Sequence, residues 1–159
     1  MSSTDVTAAT ATGAPTVKPG EIWLEVVTLP VADVDGAKEF YGGLGWRMDI
    51  DFEPAPGLRC VQLTPPGSPC SIQFGVGLTS AEPGSAQATF LVVSDIEAAR
   101  AQLIERGADI SEISHRDPEG NAGSGPDPEH RSYFSRATFS DPDGNSWVLQ
   151  EVNERLPGR

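Results

Sequence analysis

The stretch Val31–Lys38, which reads VADVDGAK, recurs sixty-two residues later as Val93–Arg100, which reads VSDIEAAR. In each copy an aspartate, Asp33 or Asp95, follows an apolar run. Gly45 and Gly107 then follow at the same distance from these aspartates. Aspartate is a favoured residue at the start of a helix, and glycine commonly ends one. The repeat therefore predicts two copies of one unit in which a strand is followed by a helix.

The chain has 159 residues, which suits one domain or two half-domains that share a core. Its beginning is rich in Ala, Thr, Ser, Gly and Pro, a composition typical of disorder. We predict a disordered tail over 1–19, a folded domain over 20–153 made of module 20–80 and module 86–153, and a C-terminal tail over 154–159.

Targeting and membrane signals are absent from the printed sequence. No basic start and no continuous apolar run precede Lys18, which argues against a signal or transit peptide. No stretch approaches the roughly 18 apolar residues that a membrane span needs. Cys60 and Cys70 flank a predicted turn in a register that argues against a cross-link, so we expect free thiols. These features predict a cytoplasmic protein without a membrane segment.

The formal net charge is −12 at pH 7. Binding to nucleic acid needs clustered Lys and Arg residues against the phosphates, so this charge argues against a nucleic-acid partner. The acidity has two interpretations. It can serve solubility alone, or it can form an acidic cleft that attracts a cationic ligand.

The first copy predicts the order strand, helix and three further strands. Asp33 caps a helix whose apolar residues recur at helical spacing, and Gly45 follows its end. Apolar and β-branched runs predict strands at Ile22–Leu29, Trp46–Phe52, Leu58–Thr64 and Ser71–Val76.

The second copy repeats this order with one clear difference. Asp95 caps the helix, and strands are predicted at Ala88–Val93, Asp109–Ile113, Tyr133–Phe139 and Ser146–Val152. The last two strands are joined by a tight turn at Asp141–Asn145, which reads DPDGN. A polar segment from Ser114 to about His130 has no counterpart in the first copy, and we predict a long loop there that could act as a gate.

These motifs together resemble the vicinal oxygen chelate superfamily, which includes glyoxalase I, extradiol dioxygenases, fosfomycin-resistance enzymes and bleomycin-binding proteins. The similar region extends over residues 22–152 and includes Phe40, Tyr41 and the Asp141–Asn145 turn. The resemblance implies an α+β fold, in which two βαβββ modules curl their sheets around a shared cavity. In the metal-dependent members, four inward-facing side chains hold a divalent ion.

The resemblance also places the four metal-ligand positions, which fall on Val26, Gln62, Ala88 and Val148. Three of these side chains have no lone pair to offer a metal ion. A shift of one residue would bring Glu25 to the first position, but it would also turn the rest of that strand outward. We therefore predict no metal and no other cofactor, which puts the metal-dependent activities in doubt.

Strand parity selects candidates for binding a ligand. Gln62 and Gln150 would orient a carbonyl or hydroxyl group of the ligand, or they would satisfy each other or the backbone. Cys60 shares a face with Gln62, and we expect it to pack rather than to act as a nucleophile. Phe74 and Phe90 either line the pocket or pack in the core.

The long segment and its end carry the remaining candidates. His115 is a candidate general acid or base, and Tyr133 could offer its hydroxyl to a substrate. Arg131 could pair with a ligand carboxylate. The alternatives are a solvated histidine and a network that only anchors the loop.

The leading hypothesis is a protein that binds a small organic molecule in a metal-free cavity, such as an antibiotic-binding or metabolite-handling protein. Its likeness to drug binders with grooves between subunits implies a homodimer. The rival hypothesis is a glyoxalase-like lyase or isomerase, or a dioxygenase. Such an enzyme would use a metal, or it would use His115, Tyr133 or Glu25 as acid–base groups.

Overall fold

A computed structural model describes residues 15–158 of the chain. Most of the predicted N-terminal tail, residues 1–14, and Arg159 of the C-terminal tail lie outside the described residues. The chain divides into two compact units, one that ends at Ala81 and one that begins at Glu82. No helix within 15–158 is both long and apolar enough to cross a membrane.

The first unit has the predicted βαβββ order. Its elements are β1 (Val26–Thr28), α1 (Val34–Gly43), β2 (Arg47–Ala55), β3 (Leu58–Thr64) and β4 (Ser71–Val76). The strands form one sheet in the order β1-β4-β3-β2. β1 runs parallel to β4, and the other neighbours are antiparallel.

Helix α1 begins and packs as its sequence predicts. The Asp33 side chain accepts a hydrogen bond of 3.0 Å from the backbone N–H of Gly36, which satisfies a donor at the helix start. The buried residues Val34, Ala37 and Tyr41 face β3 and β4. One face of the first sheet is therefore covered by a helix.

The second unit has the same beginning and one extra strand, β7, which forms a hairpin with β6. Its elements are β5 (Thr89–Val93), α2 (Ile96–Glu105), β6 (Ser114–Arg116), β7 (Ala122–Ser124), β8 (Ser135–Ser140) and β9 (Ser146–Glu151). The sheet order is β5-β9-β8-β6-β7, with β5 parallel to β9. The two units make the chain an α+β protein with two glyoxalase-like modules, as predicted.

The tight turn before β9 is held by one carboxylate. Oδ1 of Asp141 accepts hydrogen bonds of 3.0 Å from the backbone N–H groups of Asp143, Gly144 and Asn145. Gly144 has a φ of 101°, a conformation that side chains other than glycine rarely adopt. The DPDGN sequence thus produces the predicted turn.

Two predicted strands differ from the observed ones by more than three residues. The first strand is shorter than predicted. Ile22–Leu24 is exposed and does not pair with the sheet, and regular pairing starts at Val26. The strand predicted at Asp109–Ile113 lies instead at Ser114–Arg116. Ser111 bonds to both backbone groups of Thr138, and the regular ladder begins only after it.

The prediction of a long loop from Ser114 to about His130 is wrong. That segment contains the β6–β7 hairpin, which pairs with β8 and widens the second sheet. Asp117 closes the hairpin by accepting from the backbone N–H of Asn121 at 2.7 Å. Side-chain turn bonds of this kind are a known role of aspartate, so the polar composition produced a turn rather than an open loop.

Each sheet has a helix-covered face and an opposite face, which we call the open face. In β3 the buried Val61 and Leu63 face α1, so Cys60 and Gln62 lie on the open face. In β8 the buried Ala137 faces α2, so Arg136 lies on the open face together with its partner in β9, Gln150. The open faces hold most of the predicted binding residues.

Candidate functional site

The second unit has a cleft of about 340 Å³ beside β6, β7 and the start of β8. Both the open face and the residues just before β8 contribute to it. Its lining consists of Ser114, His115, Arg116, Ala122, Tyr133, Phe134 and Arg136. Volumes of a few hundred Å³ are typical of pockets for small organic molecules.

Both backbone polar groups of Tyr133 are hydrogen bonded. Its N–H donates to the carbonyl of Glu151 at 2.8 Å, and its carbonyl accepts from Nε2 of Gln150 at 3.0 Å. Its φ is 76°, a region that is costly for a residue other than glycine. These two hydrogen bonds offset that cost and hold the Tyr133 side chain at the cleft wall.

Arg131 anchors the segment that leads to this wall. Its guanidinium donates to both carboxylate oxygens of the buried Asp127, at 2.8 and 2.6 Å. These hydrogen bonds hold the pKa of Asp127 well below its usual range and raise the pKa of Arg131. The guanidinium also lies 5.1 Å from the ring centre of Phe134. Arg131 thus belongs to a network that anchors the loop, which was the alternative to pairing with a ligand carboxylate.

His115 and Tyr133, the two predicted catalytic residues, line the same cleft. Nδ1 of His115 lies 2.8 Å from the carbonyl oxygen of Gly125, so this nitrogen carries the hydrogen. The ring lies over Gly123, where an added Cβ would collide with the imidazole. The hairpin therefore fixes the imidazole of His115 through Nδ1 and the contact with Gly123.

Arg136 and Arg116 also line this cleft, and the sequence prediction missed both. Arg136 stands directly opposite Gln150 in the β8–β9 ladder, and its guanidinium lies 5.3 Å from the ring centre of Phe90. Phe90 is 45% exposed, so it presents an aromatic surface on the open face. The alternation of Arg136 with the apolar Ala137 in β8 was the sequence signal that Arg136 lies on the open face. Arg116 was missed because its strand was predicted to be a loop.

The open face of the first unit carries a connected row of polar side chains. Sγ of Cys60 donates to Oε1 of Gln73 at 3.5 Å, and Nε2 of Gln73 donates to Oγ1 of Thr28 at 2.9 Å. Gln62 lies opposite Gln73 on the same face. Burial, and then the negative charge of Asp51, raise the pKa of the Cys60 thiol, which disfavours the nucleophilic thiolate.

Phe74 lies on the other face of that sheet. It is fully buried and packs beside Tyr41, with ring centres 5.8 Å apart. The structure therefore places Phe74 in the core beneath α1, which was the alternative to a role in binding a ligand.

The donor set for a metal ion can be tested position by position. Gln73 pairs with Thr28 in the first unit just as Val148 pairs with Phe90 in the second, so Gln73, and not Gln62, is the equivalent of Val148. The corrected set still contains two valines and Ala88, so it does not fit a divalent ion. Among residues 15–158, no group of three or more His, Cys, Asp or Glu side chains is arranged to hold a metal.

Comparisons with known proteins agree with this architecture. Residues 23–149 match the family described as Glyoxalase/Bleomycin resistance protein/Dioxygenase superfamily. A comparison with curated proteins returned no match.

Solved structures include several similar chains from bacteria. TnmS3, an antibiotic binding protein from Streptomyces sp. CB03234, is 28% identical with a TM-score of 0.64, over 84% of this chain and 98% of that one. A glyoxalase/bleomycin resistance protein from the same strain is 28% identical with a TM-score of 0.61, over 81% and 100% of the two chains. A superfamily member from Sphaerobacter thermophilus DSM 20745 is 27% identical with a TM-score of 0.63, over 82% and 98%.

Proposed function

The chain belongs to the glyoxalase/bleomycin resistance protein/dioxygenase superfamily, and from this premise we propose that it binds a small organic molecule without using a metal ion. The observation that carries the proposal is the cleft of the second unit, beside an open face whose metal-ligand position is Val148. Apolar side chains at these positions offer a ligand contact area instead of metal coordination.

The side chains of the cleft suit recognition of an organic ligand. Tyr133 and Phe134 supply aromatic surface, and Ser114 and Arg136 supply hydrogen-bond donors beside it. Gln150 already donates one hydrogen bond to the backbone, so its role in the proposal is to hold Tyr133 and to border the cleft. Gln62 and Cys60 belong to the open face of the first unit. We propose that a ligand contacts Gln62 there, and that the Cys60 thiol does not take part in binding.

An antibiotic is the ligand class that we favour. One similar structure, TnmS3, is named an antibiotic binding protein, and another is named a glyoxalase/bleomycin resistance protein. The test is a thermal-shift panel of bleomycin, doxorubicin and novobiocin, with Zn²⁺, Ni²⁺ and Mn²⁺ alone in parallel wells. A ligand that binds the native state raises the unfolding temperature. A rise with at least one antibiotic supports the proposal, and rises with metal ions alone contradict it.

We further propose that the protein is a homodimer in the cytoplasm. Both open faces expose large apolar side chains, namely Ile50 and Phe52 in the first unit and Phe90 and Val92 in the second, each between 42% and 47% exposed. Exposed apolar patches often mark association surfaces. Both cysteines are free, as is usual in a reducing compartment. Light scattering after size-exclusion chromatography should give twice the chain mass of 16.8 kDa, and a monomer at micromolar concentration would exclude the dimer.

An enzyme without a metal is the second candidate. The observation in its favour is that His115 and Tyr133 line one cleft. Mass spectrometry of a bound compound after prolonged incubation would detect turnover. If His115→Ala abolishes a chemical change while it spares binding, the enzyme is the better description. If the compound is recovered unchanged with the unsubstituted protein, the binding function stands.

A further inference from the structure

Two arginines lie on the same side of the second sheet at the cleft. Arg136 in β8 stands opposite Ser114 in β6, and Arg116 follows two residues after Ser114. Side chains two residues apart on a strand point to the same face, so both guanidinium groups belong to the open face. The cleft therefore contains two cationic groups on neighbouring strands.

Neither guanidinium is paired with a carboxylate of the described residues. Within residues 15–158, neither Arg116 nor Arg136 takes part in an ion pair. Arg116 donates to the carbonyl of Gly120 at 2.9 Å, and Arg136 lies over the Phe90 ring. Among the residues that the structure describes, no aspartate or glutamate lines the cleft. The nearby Arg131 behaves differently, because it is paired with Asp127.

The positive charge of Arg116 and Arg136 has the opposite sign to the net charge of the whole chain. One interpretation of the net charge of −12 is an acidic cleft for a cationic ligand, but a ligand inside this cleft meets Arg116 and Arg136, and neither is in an ion pair with a described residue. Coulomb interactions fall with distance and are screened by salt over about 10 Å, so the nearest charges dominate. The cleft therefore favours an anionic group.

The rest of the lining favours a flat ring. Tyr133 and Phe134 line the cleft, and Phe90, which lies outside the lining, packs against the guanidinium of Arg136. Aromatic rings stack on other rings and on guanidinium planes. Resting on the proposed binding function, we propose that the ligand of this cleft is a planar aromatic molecule that carries an anionic oxygen group, a carboxylate or a phenolate, which pairs with Arg136 and Arg116.

The experiment compares three probes with the same naphthalene ring and different charge: 2-naphthoate, 2-naphthamide and 2-naphthylmethylammonium. Isothermal titration calorimetry measures the dissociation constant of each with the full chain. We expect 2-naphthoate to bind about tenfold more tightly than the amide, because a charge-assisted hydrogen bond is roughly twice as strong as a neutral one. The cation should bind most weakly.

Substitution of Arg136 assigns this preference to the cleft. Arg136→Gln should weaken 2-naphthoate about tenfold and change 2-naphthamide less than twofold, whereas Arg136→Lys should retain part of the preference. Arg106→Gln is the control, because Arg106 is an exposed arginine at the end of α2, outside the cleft. Circular dichroism checks that each variant is folded, and the comparison of the three probes needs no variant at all.

Several results would overturn the inference. Tightest binding of the cation, equal binding of all three probes, or an unchanged preference in Arg136→Gln would show that the arginines do not select the charge. Binding of an antibiotic in the thermal-shift panel would then leave the proposed function intact. Failure of the probes and of the whole panel would remove both proposals.

Discussion

Glu151, at the end of β9, accepts a hydrogen bond from Nδ1 of His130 at 3.0 Å. The carboxylate is buried, and its other oxygen accepts from the backbone N–H of Ile96 at 3.0 Å, in the first turn of α2. The histidine ring is half-exposed. One buried charge therefore joins the start of a helix to the segment that leads into the cleft wall.

This pair should make the stability of the protein depend on pH. The hydrogen bond and the negative charge of Glu151 raise the pKa of His130, and Glu97 and Asp95 add smaller effects of the same sign. A raised folded pKa stabilises the fold fully below the unfolded value of about 6.5, and the effect is lost as pH rises through the folded pKa. Replacing His130 with Gln should therefore lower the unfolding temperature more at pH 5.5 than at pH 8.5.

Differential scanning fluorimetry of the two proteins across that pH range measures the difference directly. A gap between the unfolding temperatures that grows as pH rises would mean that His130 is not stabilised in its charged form by Glu151.

The Asp127–Arg131 pair should support the cleft wall. Asp127→Asn removes the charge that holds the Arg131 guanidinium and the Arg131 backbone N–H, both of which contact one carboxylate. We expect a fall of several degrees in the unfolding temperature and weaker binding of 2-naphthoate. Because the pKa of Asp127 is depressed, its contribution is present above the unfolded value of about 3.9 and is lost as pH falls below it.

Glu129→Gln is the matched control, since Glu129 contacts the same guanidinium at 3.3 Å but is exposed. Exposed ion pairs contribute about 1 kcal/mol or less, so this variant should resemble the unsubstituted protein. Equal effects of the two substitutions would show that the buried anchor has no special role.

Cys60 should react slowly with thiol reagents. Its raised pKa leaves little thiolate at neutral pH, and its Sγ donates to Gln73. Iodoacetamide labelling at pH 7.5, followed by peptide mass spectrometry, should give a rate below that of free cysteine, and Cys60→Ser should keep ligand binding. Labelling faster than free cysteine would make Cys60 a candidate nucleophile again.

Most of the fold could be predicted from local signals. The caps at Asp33 and Asp95 and the turn at Asp141 are interactions between residues close in sequence, so short motifs reveal them. The strand boundaries at Leu58–Thr64 and Ser71–Val76 are those expected from apolar alternation. The β6–β7 hairpin was missed because it is short, polar and stabilised by pairing with β8, a contact between segments that the pattern does not contain.

The site was less predictable than the fold. Gln62 and Cys60 share one sheet face, as strand parity predicts, but parity could not show that Gln150 donates a hydrogen bond to the Tyr133 carbonyl. The neighbour of β1 is β4 and not β3, so the position equivalent to Val148 is Gln73. Sheet order depends on pairing between distant segments, and a single sequence does not fix it.

Metal-independent binding is the central claim, and one measurement tests it most directly. The dissociation constant of the panel antibiotic with the largest thermal shift is determined by calorimetry before and after removal of metal ions with EDTA, with the metal content measured by mass spectrometry. The account predicts a metal content well below one equivalent per chain and a dissociation constant that changes less than twofold. About one equivalent of Zn, Ni, Mn or Fe per chain, together with loss of binding after its removal, would contradict it.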